Sequence, residues 1–323
     1  MINLLELEPT KISKNLKGKF LLVYGEPKCG KTTLLSKLPK SLILAFEAGT
    51  NALNNAYIQP IEKWTDFKMV LKQLKNPAVQ EKFDFIGIDT ADIAWDLCVK
   101  YICIQNGVDN LSDIPWGKGF DMCKKEYSEA FRQLALMGYG ICFVSHSTEK
   151  TFKDEKGEDY IRIVPALPNR PYDIVNKMVD IIGYIRSIKN PDTKEQKTFL
   201  FFRGDDRFLA GARFKHIVPR IEFTYENLAG AIYEAIDKQA AEDGTTTTDT
   251  YNNFYEEKQR RPFDDAMAEA KELWVKLTEG NEANAYKILD TVEKVFGKRM
   301  KISEATEPQQ ELLELVIDEM RDM

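Results

Sequence analysis

The 323-residue chain has no Cys-x-x-Cys pair, and its five cysteines (29, 98, 103, 123 and 142) are an odd number. Both facts speak against a disulfide framework and a zinc site, so the thiols read as reduced and intracellular. No apolar run approaches the ~20 residues that a membrane helix requires, and no membrane partner is expected. Met1-Ile2-Asn3-Leu4-Leu5-Glu6-Leu7-Glu8 is short and acidic, unlike a signal peptide, which points to the cytoplasm. No internal repeat is visible.

Net negative charge is missing from the first 302 residues, which balance at 44 Lys/Arg against 44 Asp/Glu. The net charge of −6 arises wholly in residues 303–323, with seven acids and one Arg. Overall acidity therefore leaves room for a nucleic-acid site on the core. Residues 186–220 hold nine Lys/Arg (186, 189, 194, 197, 203, 207, 213, 215, 220) against four acids (192, 195, 205, 206). This surplus is either such a site or the solvated edges of two strands.

What is present is Gly25-Glu26-Pro27-Lys28-Cys29-Gly30-Lys31-Thr32-Thr33, the G-x-x-x-x-G-K-T phosphate loop. Phe20-Leu21-Leu22-Val23-Tyr24 before it suits a buried strand, and Thr33-Leu34-Leu35-Ser36-Lys37-Leu38 opens a helix. Glycines let backbone N–H groups turn onto the phosphates, and the helix N-terminus adds partial positive charge. Lys31 would reach the β/γ-phosphates and Thr32 would offer its hydroxyl to Mg²⁺, making ATP and Mg²⁺ the expected cofactors. Cys29 lies where Lys31 and the helix end could lower its pKa, though a filler position explains it equally.

Further strands are expected over residues 41–46, 83–90, 139–146, 180–186 and 198–203, with the last two joined by the Asn190-Pro191-Asp192 turn. Helices are expected over 65–74, 93–104 and 127–137. Alternating strands and helices imply a mostly parallel sheet with helices on both faces and an antiparallel extension at its edge. Residues 106–119 read as a polar loop and 148–171 as a long charged loop with a hairpin flavour. The domains expected are an ATPase core over 1–240, a polar linker over 241–261 and a helical module over 262–323. Thr306-Glu307-Pro308-Gln309 resembles a capping box before the last helix.

Asp89 ends an apolar strand, where an acid can hold Mg²⁺-bound water; the other reading is a helix N-cap, a role that Thr90 and Asp92 also suit. Glu47 follows the second strand and would project from the carboxyl edge of the sheet as a base that orients water, or simply face solvent. His146 ends the fourth strand, where it could touch the γ-phosphate and report to the following loop.

This order of P-loop, strand ending in Glu, strand ending in Asp and strand ending in Ser-His resembles the RecA-like core. In detail it is similar to phage-type AAA ATPases that serve as single-strand-annealing or RecA-like recombinases. The resemblance covers residues 18–235 and implies that Glu47 activates water and that His146, standing where Gln is usual, couples nucleotide state to a DNA loop. It also implies that Arg213, with Lys215 second, reaches a neighbour's nucleotide, so that the protein works as a ring or filament in the cytoplasm (of the host, if phage-encoded). Single-stranded DNA is the implied partner. Trp116, Lys118, Lys150, Lys153, Lys156, Arg162 and Arg170 could bind it, with Phe152 or Tyr160 stacking on bases. Asp154, Glu155, Glu158 and Asp159 are interleaved, and a charged hairpin needs no ligand. The acidic last helix, apolar at 312, 313, 316, 317 and 320, suits docking on a protein. The alternatives are an AAA+ protein-remodelling ATPase such as a helicase loader, or a small-molecule kinase.

Overall fold

The computed structural model describes residues 9–189, 193–251 and 261–323. The acidic opening residues 1–8, the turn at 190–192 and residues 252–260 of the expected linker lie outside the described residues. The chain divides into two compact units, one over residues 10–251 and one over 261–323.

The larger unit runs β1 (Phe20–Gly25), α1 (Lys31–Lys37), β2 (Ser41–Ala45), β3 (Tyr57–Pro60), α2 (Trp64–Leu74), α3 (Pro77–Lys82), β4 (Phe85–Asp89) and α4 (Ala91–Asn106). It continues with α5 (Lys118–Leu136), β5 (Gly140–Lys153), β6 (Asp159–Pro165), α6 (Asn169–Met178), β7 (Ile181–Lys189), β8 (Gln196–Phe201), β9 (Gly211–Ala212), β10 (Arg220–Glu222) and α7 (Tyr225–Glu242). The sheet order is β3-β2-β4-β5-β1-β7-β8-β10. Pairing is parallel from β3 to β7 and antiparallel at β7–β8 and β8–β10. This is the mixed α/β architecture, with a mostly parallel sheet and an antiparallel edge, that the strand pattern implied.

Strands covered on both faces must be apolar on both, and β1 alternates accordingly. Leu22 and Tyr24 pack with Phe67, Ile88, Phe131 and Phe143 under α2, α4 and α5. Leu21 and Val23 pack on the opposite face with Leu35, Val144, Leu228 and Ile232 under α1 and α7.

Three expectations are corrected in this unit. The helix expected from 127 starts at Lys118, so Lys118 and Gly119 are helical rather than part of a loop. Gly119 fits there because a Cβ would come within 2.5 Å of the Leu111 carbonyl. The charged loop of 148–171 is regular structure: β5 runs through His146 to Lys153, pairs antiparallel with β6, and α6 begins at Asn169. The polar linker does not begin at 241, since α7 continues to Glu242 and Thr248 bridges Ser13 of the lead-in segment.

The smaller unit contains α8 (Phe263–Thr278), α9 (Glu282–Phe296) and α10 (Gln310–Arg321). Ala266, Ala270, Ile288, Val292, Leu313, Val316, Ile317 and Met320 form its core. Thr306 and Gln309 make the expected capping box, with the Thr306 N–H donating to Gln309 Oε1 at 3.1 Å. The apolar face of α10 is thus buried within its own unit, and docking through that face would dismantle the core. Arg261 ties the unit together by pairing with Glu314 at 2.7 Å and with Glu269. No helix among the described residues is long and apolar enough to cross a membrane.

Candidate nucleotide site

The phosphate loop joins β1 to α1. Lys28 and Gly30 take positive φ values of 65° and 97°, which fold the loop tightly. Gly25 is required at the strand end, because a Cβ would stand 2.7 Å from the Ile185 carbonyl and 3.0 Å from Cys29 Sγ. Lys31 is buried and donates to the carbonyls of Gly25 (3.0 Å) and Glu26 (2.7 Å), lying back along the loop it would serve. Burial pushes the Cys29 thiol up and outweighs the nearby Lys31, opposite to the lowering that its place in the loop suggested.

Sheet order assembles the rest. β5 lies between β1 and β4, and register places His146 beside Gly25 and Val144 beside Asp89. Asp89, buried at the end of β4, has its carboxyl raised above the ordinary range by desolvation, with Glu47 adding to the rise. Hydrogen bonding from Thr32 and the charges of Lys31 and His146 oppose it. The Phe46 and Glu47 N–H groups both donate to the Asp89 carbonyl, at 2.7 and 3.2 Å, which fixes Glu47 at the same edge. Thr32 and Asp89 therefore offer adjacent hard oxygen donors at the mouth of α1, a donor set that fits Mg²⁺.

His146 stands between two carboxylates: Nδ1 lies 3.2 Å from Asp92 Oδ2, and Nε2 lies 3.8 Å from Glu47 Oε2. Asp92 was legible only as a helix-start acid. Its signal is an acid in the first turn of α4, directly after the strand that ends in Asp89. Thr90 is buried as well, and its Oγ1 has no hydrogen-bond partner among the described residues.

Arg213 is not in this cluster. It donates to Asp180 Oδ1 (3.1 Å) and to the Lys177 carbonyl (2.7 Å), just before β7. Since Ile181 pairs with Leu21 and Ile185 with Gly25, Arg213 sits at the end of the sheet away from its own P-loop, by roughly 13 Å of strand. Lys215 pairs with Glu242. Much of the basic surplus is engaged within the chain. Arg203 holds the carbonyls of Ala212, Phe214 and Lys215, Arg207 pairs with Asp205, Lys197 with Glu222, and Arg220 lies over Phe199 and Phe201.

Several candidate DNA contacts are brought together on and beside the β5–β6 hairpin. Lys150 opposes Arg162 and Phe152 opposes Tyr160, so all four share one face, with the two rings 5.8 Å apart. Lys150 reaches Asn169, while Arg170 stacks on Phe120 at 4.4 Å, linking hairpin, α6 and α5. Arg162 turns inward towards the Phe208 carbonyl at 3.4 Å. Lys153 and Lys156 lie at the exposed tip, where Lys153 is 4.0 Å from Asp159 and Asp154 closes the turn. Trp116 is 91% exposed, with a positive φ of 64°.

Residues 17–214 match the AAA domain family. The whole chain is 30% identical to the SPbeta prophage-derived uncharacterized protein YorG of Bacillus subtilis, 98% of which is covered. Among solved structures, flagellar accessory protein FlaH from Methanocaldococcus jannaschii is similar over 57% of this chain and 77% of that one, at 13% identity and a TM-score of 0.34.

Proposed function

The chain belongs to the AAA domain family, and from that premise we propose that it binds and hydrolyses ATP with Mg²⁺ and acts on single-stranded DNA as an oligomer, in recombination or annealing. One observation carries the reading. β5 passes His146 beside the P-loop and continues for seven residues into the hairpin that carries Lys150, Phe152 and Tyr160 on one face. A shift of the ring would thus move along a single strand, roughly 23 Å at 3.3 Å per residue, to a basic and aromatic surface.

In this reading the backbone of Gly25 to Thr33 holds the phosphates, and Lys31 exchanges loop carbonyls for phosphate oxygens. Thr32 and Asp89 hold the metal, which would neutralise charge on the transferring phosphoryl group. Glu47 orients and deprotonates the attacking water. Arg213, facing away from its own loop, can serve only a neighbour's nucleotide, which would tie hydrolysis to assembly.

The test is steady-state ATP hydrolysis by the full chain with and without single-stranded DNA. Stimulation that disappears in the Phe152→Ala, Tyr160→Ala double variant is the expected result. Hydrolysis indifferent to DNA but raised by a partner protein would overturn it in favour of a protein-remodelling ATPase.

A further inference from the structure

Asp92 belongs to no part of the phosphate loop, yet its carboxylate is turned onto His146 and is only 17% exposed. We propose that Asp92 is a positioning residue: it accepts the Nδ1–H of His146 and so aims Nε2 at Glu47, which makes Nε2 the unprotonated nitrogen whenever the ring is neutral. The inference rests on the hydrolytic reading above and goes beyond it by fixing which ring nitrogen faces the reacting end of the sheet.

The geometry allows one sense of the contact. At 3.2 Å, an unprotonated Nδ1 would set its lone pair against a carboxylate oxygen, two acceptors facing each other. A protonated Nδ1 makes a charge-assisted hydrogen bond. In the neutral ring Nε2 is then the acceptor, and its 3.8 Å to Glu47 exceeds a hydrogen bond. A donor arriving between them, such as an attacking water, would meet two acceptors. The backbone around the ring is fixed by register with Gly25 and by the Ala166 N–H, which donates to the His146 carbonyl at 2.7 Å. Asp92 Oδ1 is buried and has no hydrogen-bond partner among the described residues. An acid that served only the dipole of α4 would do so equally well from solvent. The charged groups around the pair are Glu47 and Asp89, with Lys31 beside Asp89 and Asp96 one turn along α4.

The chain has only two histidines, so the ring tautomer can be read directly. Selective ¹⁵N-histidine labelling of the full chain, followed as pH is raised until the signals no longer change, reports the neutral rings, and His216→Gln assigns them. Expected for His146 is a pyrrole-type signal on Nδ1 and a pyridine-type signal on Nε2. Asp92→Ala should release the ring to the Nε2–H form that free imidazole favours, whereas Asp92→Asn keeps the original pattern through its amide oxygen. A pyrrole-type Nε2 in the wild type, or the same pattern in Asp92→Ala, overturns the proposal without reference to activity. In ATP hydrolysis, Asp92→Ala should lower kcat about tenfold with KM within about twofold, and Asp92→Asn should recover most of that loss. A wild type that does not hydrolyse ATP would sink the hydrolytic reading alone, because the tautomer would still decide the role of Asp92.

Discussion

The two ends of the parallel sheet handle charge in opposite ways. At the amino ends of the strands each acid has its partners. Asp180 accepts the Phe20 N–H and pairs with Arg213, and Asp84 pairs with Lys17 at 3.0 Å and lies 3.9 Å from Lys40. At the carboxyl ends Glu47, Asp89 and Asp92 crowd around one histidine, while Lys31 is spent on loop carbonyls. A charge that is paired stabilises the fold, whereas three carboxylates gathered around one imidazole cost stability and are tolerated where a ligand brings further positive charge. The difference is a reason, independent of the P-loop motif, for the proposal to place the working edge at the carboxyl ends.

Substitutions at the working edge should give the largest effects, and on activity rather than stability. Lys31→Ala should abolish tight ATP binding, and Glu47→Gln should lower kcat by about 10²–10³-fold while retaining nucleotide. Equilibrium nucleotide binding alongside steady-state hydrolysis separates the two, and a Glu47→Gln protein with wild-type kcat would remove Glu47 from the mechanism. The contrast is with Asp180→Ala at the opposite end. It leaves the Phe20 N–H without its acceptor and should cost about 1–3 kcal/mol in denaturant unfolding. If Asp180→Ala left stability untouched, the paired edge would not have the structural role assigned to it.

The parts of this arrangement that were legible in the sequence are those encoded locally. A strand, a turn and an acid lie within ten residues for the P-loop, Glu47 and Asp89, so pattern alone placed them. The pairing of Asp92 with His146 joins residues 54 apart and exists only because β5 inserts between β1 and β4, which no local pattern states. β3 was missed because an edge strand reading Tyr57-Ile58-Gln59-Pro60 is mostly exposed and ends in proline. The length of β5 was hidden by Glu149, Lys150 and Lys153, whose charges suit a loop until β6 supplies the partner strand. α10 showed the reverse limit: its apolar stripe was visible, but which surface it covered was not.

A smaller effect follows from Asp89, and its sign is opposite to that of Asp180. Burial raises its carboxyl above the unfolded value, so between those two values the folded state binds more protons than the unfolded one. Stability from this group therefore declines as pH rises through that interval, and above it the ionised carboxylate is a net cost. Asp89→Asn removes the charge and keeps an acceptor for Thr32. It should stabilise the protein by about 1 kcal/mol at pH 7, a gain of roughly 2–4 °C in Tm, while removing Mg²⁺-dependent hydrolysis. The gain should shrink as pH is lowered towards 4, and a variant less stable than wild type at pH 7 would contradict the picture of a strained working edge.

The smallest structural effect is expected at Arg213, and there the comparison of the two ends is sharpest. Its side chain is 59% exposed, so the pair with Asp180 should be worth no more than about 1 kcal/mol, and Arg213→Ala should unfold close to wild type. As a purely structural residue it would leave hydrolysis unchanged at every protein concentration. As the residue that completes a neighbour's site it would make wild-type turnover per protomer rise with concentration, and Arg213→Ala would flatten that rise and lower the plateau by about 10²-fold or more. Mixing the two proteins decides between a cis and a trans origin. Arg213→Ala retains an intact Glu47, and Glu47→Gln retains an intact Arg213, so a mixed assembly regains activity only where the arginine of one protomer serves the glutamate of the next. Failure of the mixture to exceed the sum of its parts would return Arg213 to the paired, structural end of the sheet.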